Sequence, residues 1–258
     1  MLSIYLKIYK KKDLELINQV TYKPFGNKAI LIEWAAIIDQ EILNDIIQFK
    51  EHINFQKKDV YSDFIIAYNS LTIIYHNEIF DFKKEVEELQ SIYNSDFNNT
   101  QKDVDLWEIP VCYDLGFGID LQEISAKSNL SIDKIIKLHS EKIYTIFFIG
   151  FLPGFLYLGG LNDKIFFDRK ENPRLQVAKG SVAIGGKQTG IYPSNSAGGW
   201  NIIGKTPINF FDVKKANPCF SKAGDKIKFI PVSLEEYHQI ETKILRNTFQ
   251  IFKTVHND

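Results

Sequence analysis

Eleven of the fifteen glycines in this 258-residue chain fall between Gly150 and Gly204. Glycine weakens the interior of helices and strands but allows positive φ and close backbone approach. Its concentration in one stretch predicts a compact run of short, bent strands and tight turns. Turns carried on a rigid scaffold are where binding groups usually sit.

Bulk composition narrows what surrounds that tract. With 45% hydrophobic and 14% aromatic residues the chain can bury a core, and its 258 residues suit one large or two modest domains. A net charge of −1 gives no electrostatic case for a nucleic-acid or anionic-membrane partner. Two cysteines, Cys112 and Cys219, are too few for a disulfide framework or a multi-cysteine metal site, and no metal is expected. No apolar run reaches the roughly 18 residues that span a bilayer. The opening MLSIYLKIYKKKD lacks the order of a secretory signal peptide. A soluble, cytoplasmic protein is expected.

Periodicity divides the chain near residue 100. Thr21–Phe25 and Ala29–Trp34 flank a Gly26-Asn27 turn, Asp39 can cap a helix bearing Ile42, Ile46 and Phe49, and Phe64–Tyr68 and Leu71–Tyr75 read as strands. Phe82, Val86, Leu89 and Tyr93 mark a second helix. This β-β-α-β-β-α order predicts an α+β domain over 1–100, with helices on one face of an antiparallel sheet. Polar Asn94–Asp105 reads as a linker. Over 101–258, Leu106–Tyr113, Tyr144–Gly150, Val182–Ile184 and Lys226–Val232 read as strands and Leu234–Leu245 as a terminal helix, predicting a β-barrel or sandwich. Asp120 and Glu123 have capping-box spacing. Ser131 can cap a helix whose Ile132, Ile136, His139 and Ile143 share a face.

Several residues in this second unit can carry chemistry. His139, on an apolar helical face, is either an acid–base group or a hydrogen-bonded core histidine. Only three of the 31 basic residues are arginine, and two of them, Arg169 and Arg174, lie in the glycine tract. Arg174, stiffened by Pro173, suits either a bidentate grip on an anion or a salt bridge. Trp200, after Gly198-Gly199, is a ligand wall or a core residue. Gly199–Thr206 meets the phosphate-loop pattern GxxxxGK[ST] in letters. Its Trp200-Asn201-Ile202-Ile203 interior is bulky and strand-like, however, and Pro207 follows at once, so no phosphate cradle is expected. Ser181, Ser194 and Ser196 have no identifiable base, and a serine hydrolase triad is not supported.

A set of ordered strings then carries a resemblance. They are Ile109–Asp114 (IPVCYD), Leu138-His139-Ser140, Gly150–Phe155 (GFLPGF), Tyr157–Gly160 (YLGG), Pro173-Arg174, Gly180–Ile184 (GSVAI), Gln188–Pro193 (QTGIYP), Gly198-Gly199-Trp200 and Gly204–Pro207 (GKTP). Together they resemble the allophanate hydrolase subunit 1 family, which includes the B-type component of 5-oxoprolinase and the sporulation kinase A inhibitor. The likeness is dense from about Trp107 to Val232. It implies an α+β N-terminal domain followed by a cyclophilin-like β-barrel. It also implies two partners. One is a homologous second subunit, of the 5-oxoprolinase C type or allophanate hydrolase subunit 2 type. The other is a third, lactam-utilisation protein of the 5-oxoprolinase A type.

The activity implied is ATP-dependent hydrolysis of 5-oxo-L-proline to L-glutamate by the complex, with Mg2+ accompanying ATP. The alternatives are a module that inhibits a sensor histidine kinase, or a subunit of the allophanate or urea pathway. The site expected on this reading has His139 and Arg174 in catalytic roles. Pro153, Gly154, Phe155, Ser181, Lys187, Gln188, Thr189, Tyr192, Trp200 and Lys205 would bind substrate or ATP. At Lys205 the family more often has arginine, so the charge is kept and the bidentate fork is lost. Ala197 stands where proline commonly precedes the Gly-Gly-Trp.

Overall fold

The computed structural model describes residues 20–57, 59–79, 81–96 and 104–256. The N-terminal segment and most of the expected linker lie outside the described residues. The chain divides into two compact units, Met1–Lys102 and Asp103–Asp258.

In the first unit the order is β1 (Thr21–Pro24), β2 (Ala29–Glu33), α1 (Gln40–Gln56), β3 (Tyr61–Ile66), β4 (Ser70–Tyr75) and α2 (Phe82–Asn94). The four strands form an antiparallel sheet in the order β1-β2-β4-β3. Alternation decides which face is covered: Leu71, Ile73 and Tyr75 of β4 are buried while Ser70, Thr72 and Ile74 are not. The buried face packs on Ile42, Ile46, Phe49 and Ile53 of α1 and Leu89 and Ile92 of α2. Asp39 caps α1 as expected, its carboxylate accepting from the N–H groups of Glu41 and Ile42. Asp45 of α1 also accepts from the Trp34 indole at 2.6 Å and from the Tyr93 hydroxyl, which ties α2 and the end of β2 to α1.

The second unit runs β5 (Val104–Cys112), α3 (Leu121–Ser128), α4 (Ile132–Ser140), β6 (Ile143–Ile149), β7 (Leu156–Gly159), β8 (Arg174–Val177), β9 (Ser181–Gly185), β10 (Gln188–Ile191), β11 (Ser196–Gly198), β12 (Asn201–Lys205), β13 (Lys226–Val232), α5 (Leu234–Leu245) and β14 (Lys253–His256). Seven strands pair in the order β12-β9-β10-β7-β6-β13-β5, and β5 returns to β12. The sheet is a closed barrel, not a sandwich. Strand β5 serves three neighbours: β13 runs parallel to it, β14 pairs with its first half, and Lys205 of β12 pairs with Cys112 at its end. Closure there needs a residue without a side chain. A Cβ on Gly204 would stand 2.9 Å from the Cys112 carbonyl oxygen and 2.9 Å from Val111 Cγ1.

The glycine tract thus becomes β7 and β9 to β12 with their turns. Inward positions of the strands supply the core, including Val111, Ile146, Leu158, Val182, Ile184, Ile191, Ile203, Ile227 and Phe229. A second cluster of Phe155, Val177, Ala183, Tyr192, Trp200 and Ile202 lies on the opposite face of these strands. The short β8–β11 ribbon, a separate two-stranded sheet, contributes Val177 to it. Both faces of β9 are covered, so all five of its residues are buried.

Two local expectations are corrected. Ile143 does not extend the apolar face of α4 but begins β6, where it is 41% exposed; Ile135, Leu138 and His139 are the buried residues of that helix. Asp120 stands at the N-cap of α3 but makes no side-chain cap, because its carboxylate is committed elsewhere. The Ser131 cap on α4 forms as expected, and α5 carries a full capping box between Ser233 and Glu236.

Candidate functional site

One end of the barrel carries a cleft of about 340 Å³, lined by Pro153, Lys179, Pro193, Ser194, Asn195 and Phe211. Four loops converge there. The 150–155 loop is tightly wound: the Leu152 N–H donates to the Gly150 carbonyl at 2.8 Å and the Phe155 N–H to Leu152 at 3.0 Å. Within it Phe151 adopts φ +65°, a left-handed conformation costly for a bulky residue, and its ring is 62% exposed. Gly154, at φ +85°, meets Phe211; a Cβ would lie 2.8 Å from Phe211 Cβ.

The second and third loops are stitched together. The Lys179 N–H donates to Asn195 Oδ1 at 2.7 Å, and the Gly180 N–H donates to the Tyr192 carbonyl at 2.8 Å. A backbone N–H can only donate, so the Asn195 oxygen faces Lys179 and its NH₂ remains a donor. Gly180 has φ +82°, and a Cβ there would fall 2.3 Å from the Thr206 carbonyl oxygen. Left-handed strain and overpacking against backbone together predict that Gly180→Ala costs about 2–4 kcal/mol, read as a lowered urea midpoint. A variant within about 0.5 kcal/mol of the parent would show that this end of the barrel yields without cost.

The polar lining of the cleft is one-sided. Lys179 makes no ion pair among the described residues, Ser194 supplies a hydroxyl, and Asn195 has spent its acceptor on backbone. No carboxylate is among the lining residues. The adjacent Asp212 carboxylate accepts from the Lys214 N–H. Lys205, in register with Ser181, is not among the lining residues and holds its ammonium 5.2 Å above the Phe117 ring. A lining of donors and one unpaired ammonium suits a small anion.

Arg174 sits elsewhere. Its Nη2 donates to Asp120 Oδ1 at 2.6 Å, and Lys170 reaches the same oxygen at 3.1 Å. The other Asp120 oxygen accepts from the Ile202 N–H at 2.7 Å. Lys170 also pairs with Glu123 at 2.8 Å. Hydrogen bonds from Lys127 and Lys170 pull the Glu123 carboxyl down to about 2. Burial opposes charge on Lys170, but its bonds to Glu123 and Asp120 outweigh that and hold its pKa above the usual range. The salt-bridge reading of Arg174 is the one this geometry favours. Its Nη1 is buried without an acceptor.

His139 is fully buried, and both ring nitrogens are committed. Thr189 Oγ1 donates its one hydrogen to the Ala183 carbonyl at 3.0 Å, so it must accept from His139 Nε2 at 2.9 Å. Nδ1 is then the acceptor, taking the Tyr113 hydroxyl at 2.7 Å. The ring stacks on Phe229 at 4.6 Å. Burial pushes its pKa down to about 3. In place of an acid–base group facing a ligand, the structure has a neutral histidine locking α4 to β10.

Residues 20–221 match the model of the carboxyltransferase domain, subdomains C and D. The chain belongs to that family. Within it the match is to the group that holds allophanate hydrolase subunit 1 and the B-type component of 5-oxoprolinase. The 5-oxoprolinase B component of Bacillus subtilis is 33% identical over 228 residues, covering 83% of this chain and 93% of that one. The Haemophilus influenzae protein of the same name is 41% identical over 66% of this chain and 79% of that one. Urea carboxylase from Kluyveromyces lactis superposes with a TM-score of 0.76 at 18% identity, a likeness of fold alone. It covers 92% of this chain, which spans about a quarter (24%) of that larger protein.

In this carboxyltransferase-type barrel the remaining expected site residues disperse. Pro153 lines the cleft with Gly154 next to it in the chain, and Lys205 is not among the lining residues. Ser181 and Thr189 are buried in β9 and β10, and Phe155, Tyr192 and Trp200 fill the second cluster. Arg169 lies 5.5 Å over the Trp200 ring. Lys187 and Gln188 are at the far end of the β9–β10 hairpin, on the order of 15 Å away along the strand. The interior of the Gly199–Thr206 string, Asn201–Lys205, is strand β12, with Lys205 held in the ladder, and offers no loop for a phosphate.

Lys179, Asn195 and Phe211 carry no motif that marks them in the sequence. Ser194 reads there only as a nucleophile without a base, and Pro193 only as the end of a matching string. The one local signal for Lys179 is its place before Gly180-Ser181. Helices among the described residues include none long and apolar enough to cross a membrane.

Proposed function

We propose that this chain is the B-type component of a heteromeric, ATP-dependent 5-oxoprolinase. The observation that carries the reading is the 33% identity sustained over 93% of the Bacillus subtilis protein of that name. The named relatives favour it over the kinase-inhibitor and allophanate alternatives. In the proposed reaction ATP transfers its γ-phosphoryl group to the lactam oxygen, and water adds to the ring carbon. The ring nitrogen then leaves as an amine, and a second water releases phosphate from the resulting acyl phosphate. The products are glutamate, ADP and phosphate. Each step places negative charge where cations and donors stabilise it.

With β12 in place of a phosphate loop, the ATP-binding and phosphoryl-transfer groups are assigned to the homologous second subunit or to the third, lactam-utilisation protein. Mg2+ is assigned with the nucleotide. This chain contributes a binding wall and no nucleophile. The test is reconstitution of the three proteins and measurement of ATP-dependent glutamate release with each omitted in turn. Turnover is expected to require all three. Undiminished release without this chain would overturn the assignment.

A further inference from the structure

We propose that the barrel-end cleft recognises the substrate's carboxylate, with Lys179 as its counter-charge. This rests on the 5-oxoprolinase reading and deepens it by placing the small lactam acid on this chain. Four features support it, none of which uses His139 or Arg174. The cleft, about 340 Å³, lies at the lower end of the range of small-molecule sites. Its charge is uncompensated: among the described residues Lys179 has no ion-pair partner, and no carboxylate lines the walls.

Its donor set is oriented, since the bond between the Lys179 N–H and Asn195 Oδ1 turns the Asn195 NH₂ toward other acceptors. The Lys179 backbone and the Asn195 side chain are therefore placed by one another, and the exposed Lys179 ammonium extends from a loop that needs no ligand to hold it. Finally, the non-polar lining is rigid. Two prolines and Phe211 flank the open cleft, and Gly154 holds its own loop directly against Phe211. Prolines and a ring lose little freedom on contact with a ligand, which lowers the ordering cost of binding.

The ligand that matches is small, monoanionic and partly apolar. A five-membered lactam acid offers a carboxylate to Lys179, Asn195 and Ser194, and ring methylenes to Pro153, Pro193 and Phe211. The lactam oxygen, on the other side of the ring nitrogen from the carboxylate, then faces away from Lys179.

The test uses the reconstituted complex and the full chain alone. In the complex, Lys179→Met is expected to raise KM for 5-oxo-L-proline roughly 10–100-fold, the loss of one charge-assisted contact. The KM for ATP should not change, and Lys179→Arg should recover most of the loss. The neutral carboxamide of 5-oxoproline should be a poor substrate for the unmodified complex, and Lys179→Met should no longer discriminate against it. With the chain alone, titration with 5-oxo-L-proline followed by NMR should shift the Lys179 and Asn195 amides, and Lys179→Met should weaken that binding similarly. An active complex whose KM is unmoved by Lys179→Met overturns the cleft assignment and leaves the oxoprolinase reading standing. Lysine-dependent binding by the chain, with no turnover in the complex, does the reverse. Absence of lysine-dependent binding in both systems overturns the assignment outright.

Discussion

Replacing Asp120 by alanine is expected to cost about 3–5 kcal/mol of folding free energy. The side chain is 4% exposed and accepts from Arg174, Lys170 and the Ile202 N–H. Removing it leaves two partly buried cations without a counter-charge at that point and a buried β12 amide without its acceptor. The cost is that of stranding these groups, and exceeds what the bonds themselves contribute. Asp120→Asn keeps an acceptor for Ile202 and should fall between the parent and the alanine variant.

Pairing Asp120→Ala with Arg174→Met should recover part of the loss, since the second change removes one stranded charge. Urea denaturation of the four proteins measures both terms. A loss below about 1 kcal/mol for Asp120→Ala would mean that water reaches these groups and the network is not structural. The same experiment separates the two readings of Arg174, because a residue reserved for substrate would show little coupling to Asp120.

A second large effect is a pH dependence set by His139. Its pKa falls from the usual 6.5 to about 3 because the folded protein buries it. Between those values the unfolded chain carries one more proton than the folded one. Its contribution to stability is therefore complete above pH 6.5 and is lost as pH falls through that value toward 3. The slope is about 1.4 kcal/mol per pH unit, or roughly 4 kcal/mol over three units. The clearest window is pH 4.5–6.5, above the interval from 4.5 down to about 2 over which Glu123 adds its own pH dependence.

His139→Gln removes the titrating group while retaining a donor toward Thr189. Its stability should be nearly flat relative to the parent in that window, whatever its absolute value, because the other histidines are common to both proteins. Equal slopes would show that His139 is protonated in the folded state. An independent check is the parent's His139 ring signals in NMR, which should show no titration near pH 6.5.

Local signals in the sequence reported local structure faithfully. Asp39 and Ser131 were legible as caps because a cap is decided within three residues of its own position. Alternation in β2 and β4 and the apolar spacing of α1 were legible because side-chain direction follows the backbone period. Asp120 shows where that logic ends. Its spacing to Glu123 suits a capping box, yet the carboxylate turns to Arg174 and Ile202, 54 and 82 residues away in sequence. Two partly buried cations and a buried backbone N–H outweigh one exposed cap bond.

The candidate site shows the same boundary. By itself the amino-acid sequence determined the two-part organisation, most of the strands and helices, and a glycine-rich second half built for close backbone approach. It also carried the motifs that place the chain in its family. It could not say which loops share an end of the barrel, since that follows from strand order and register set by non-local pairing. Only the tertiary structure placed Lys179 against Asn195 and brought Pro153 and Phe211 beside them. It also sent Lys187 and Gln188 to the other end and closed His139 inside. The eleven clustered glycines marked where the backbone would crowd, at Gly180 against Thr206 and at Gly204 against Cys112. The partners in each crowded contact were decided by closure of the barrel, which sums pairings across the second unit and is encoded at no single position.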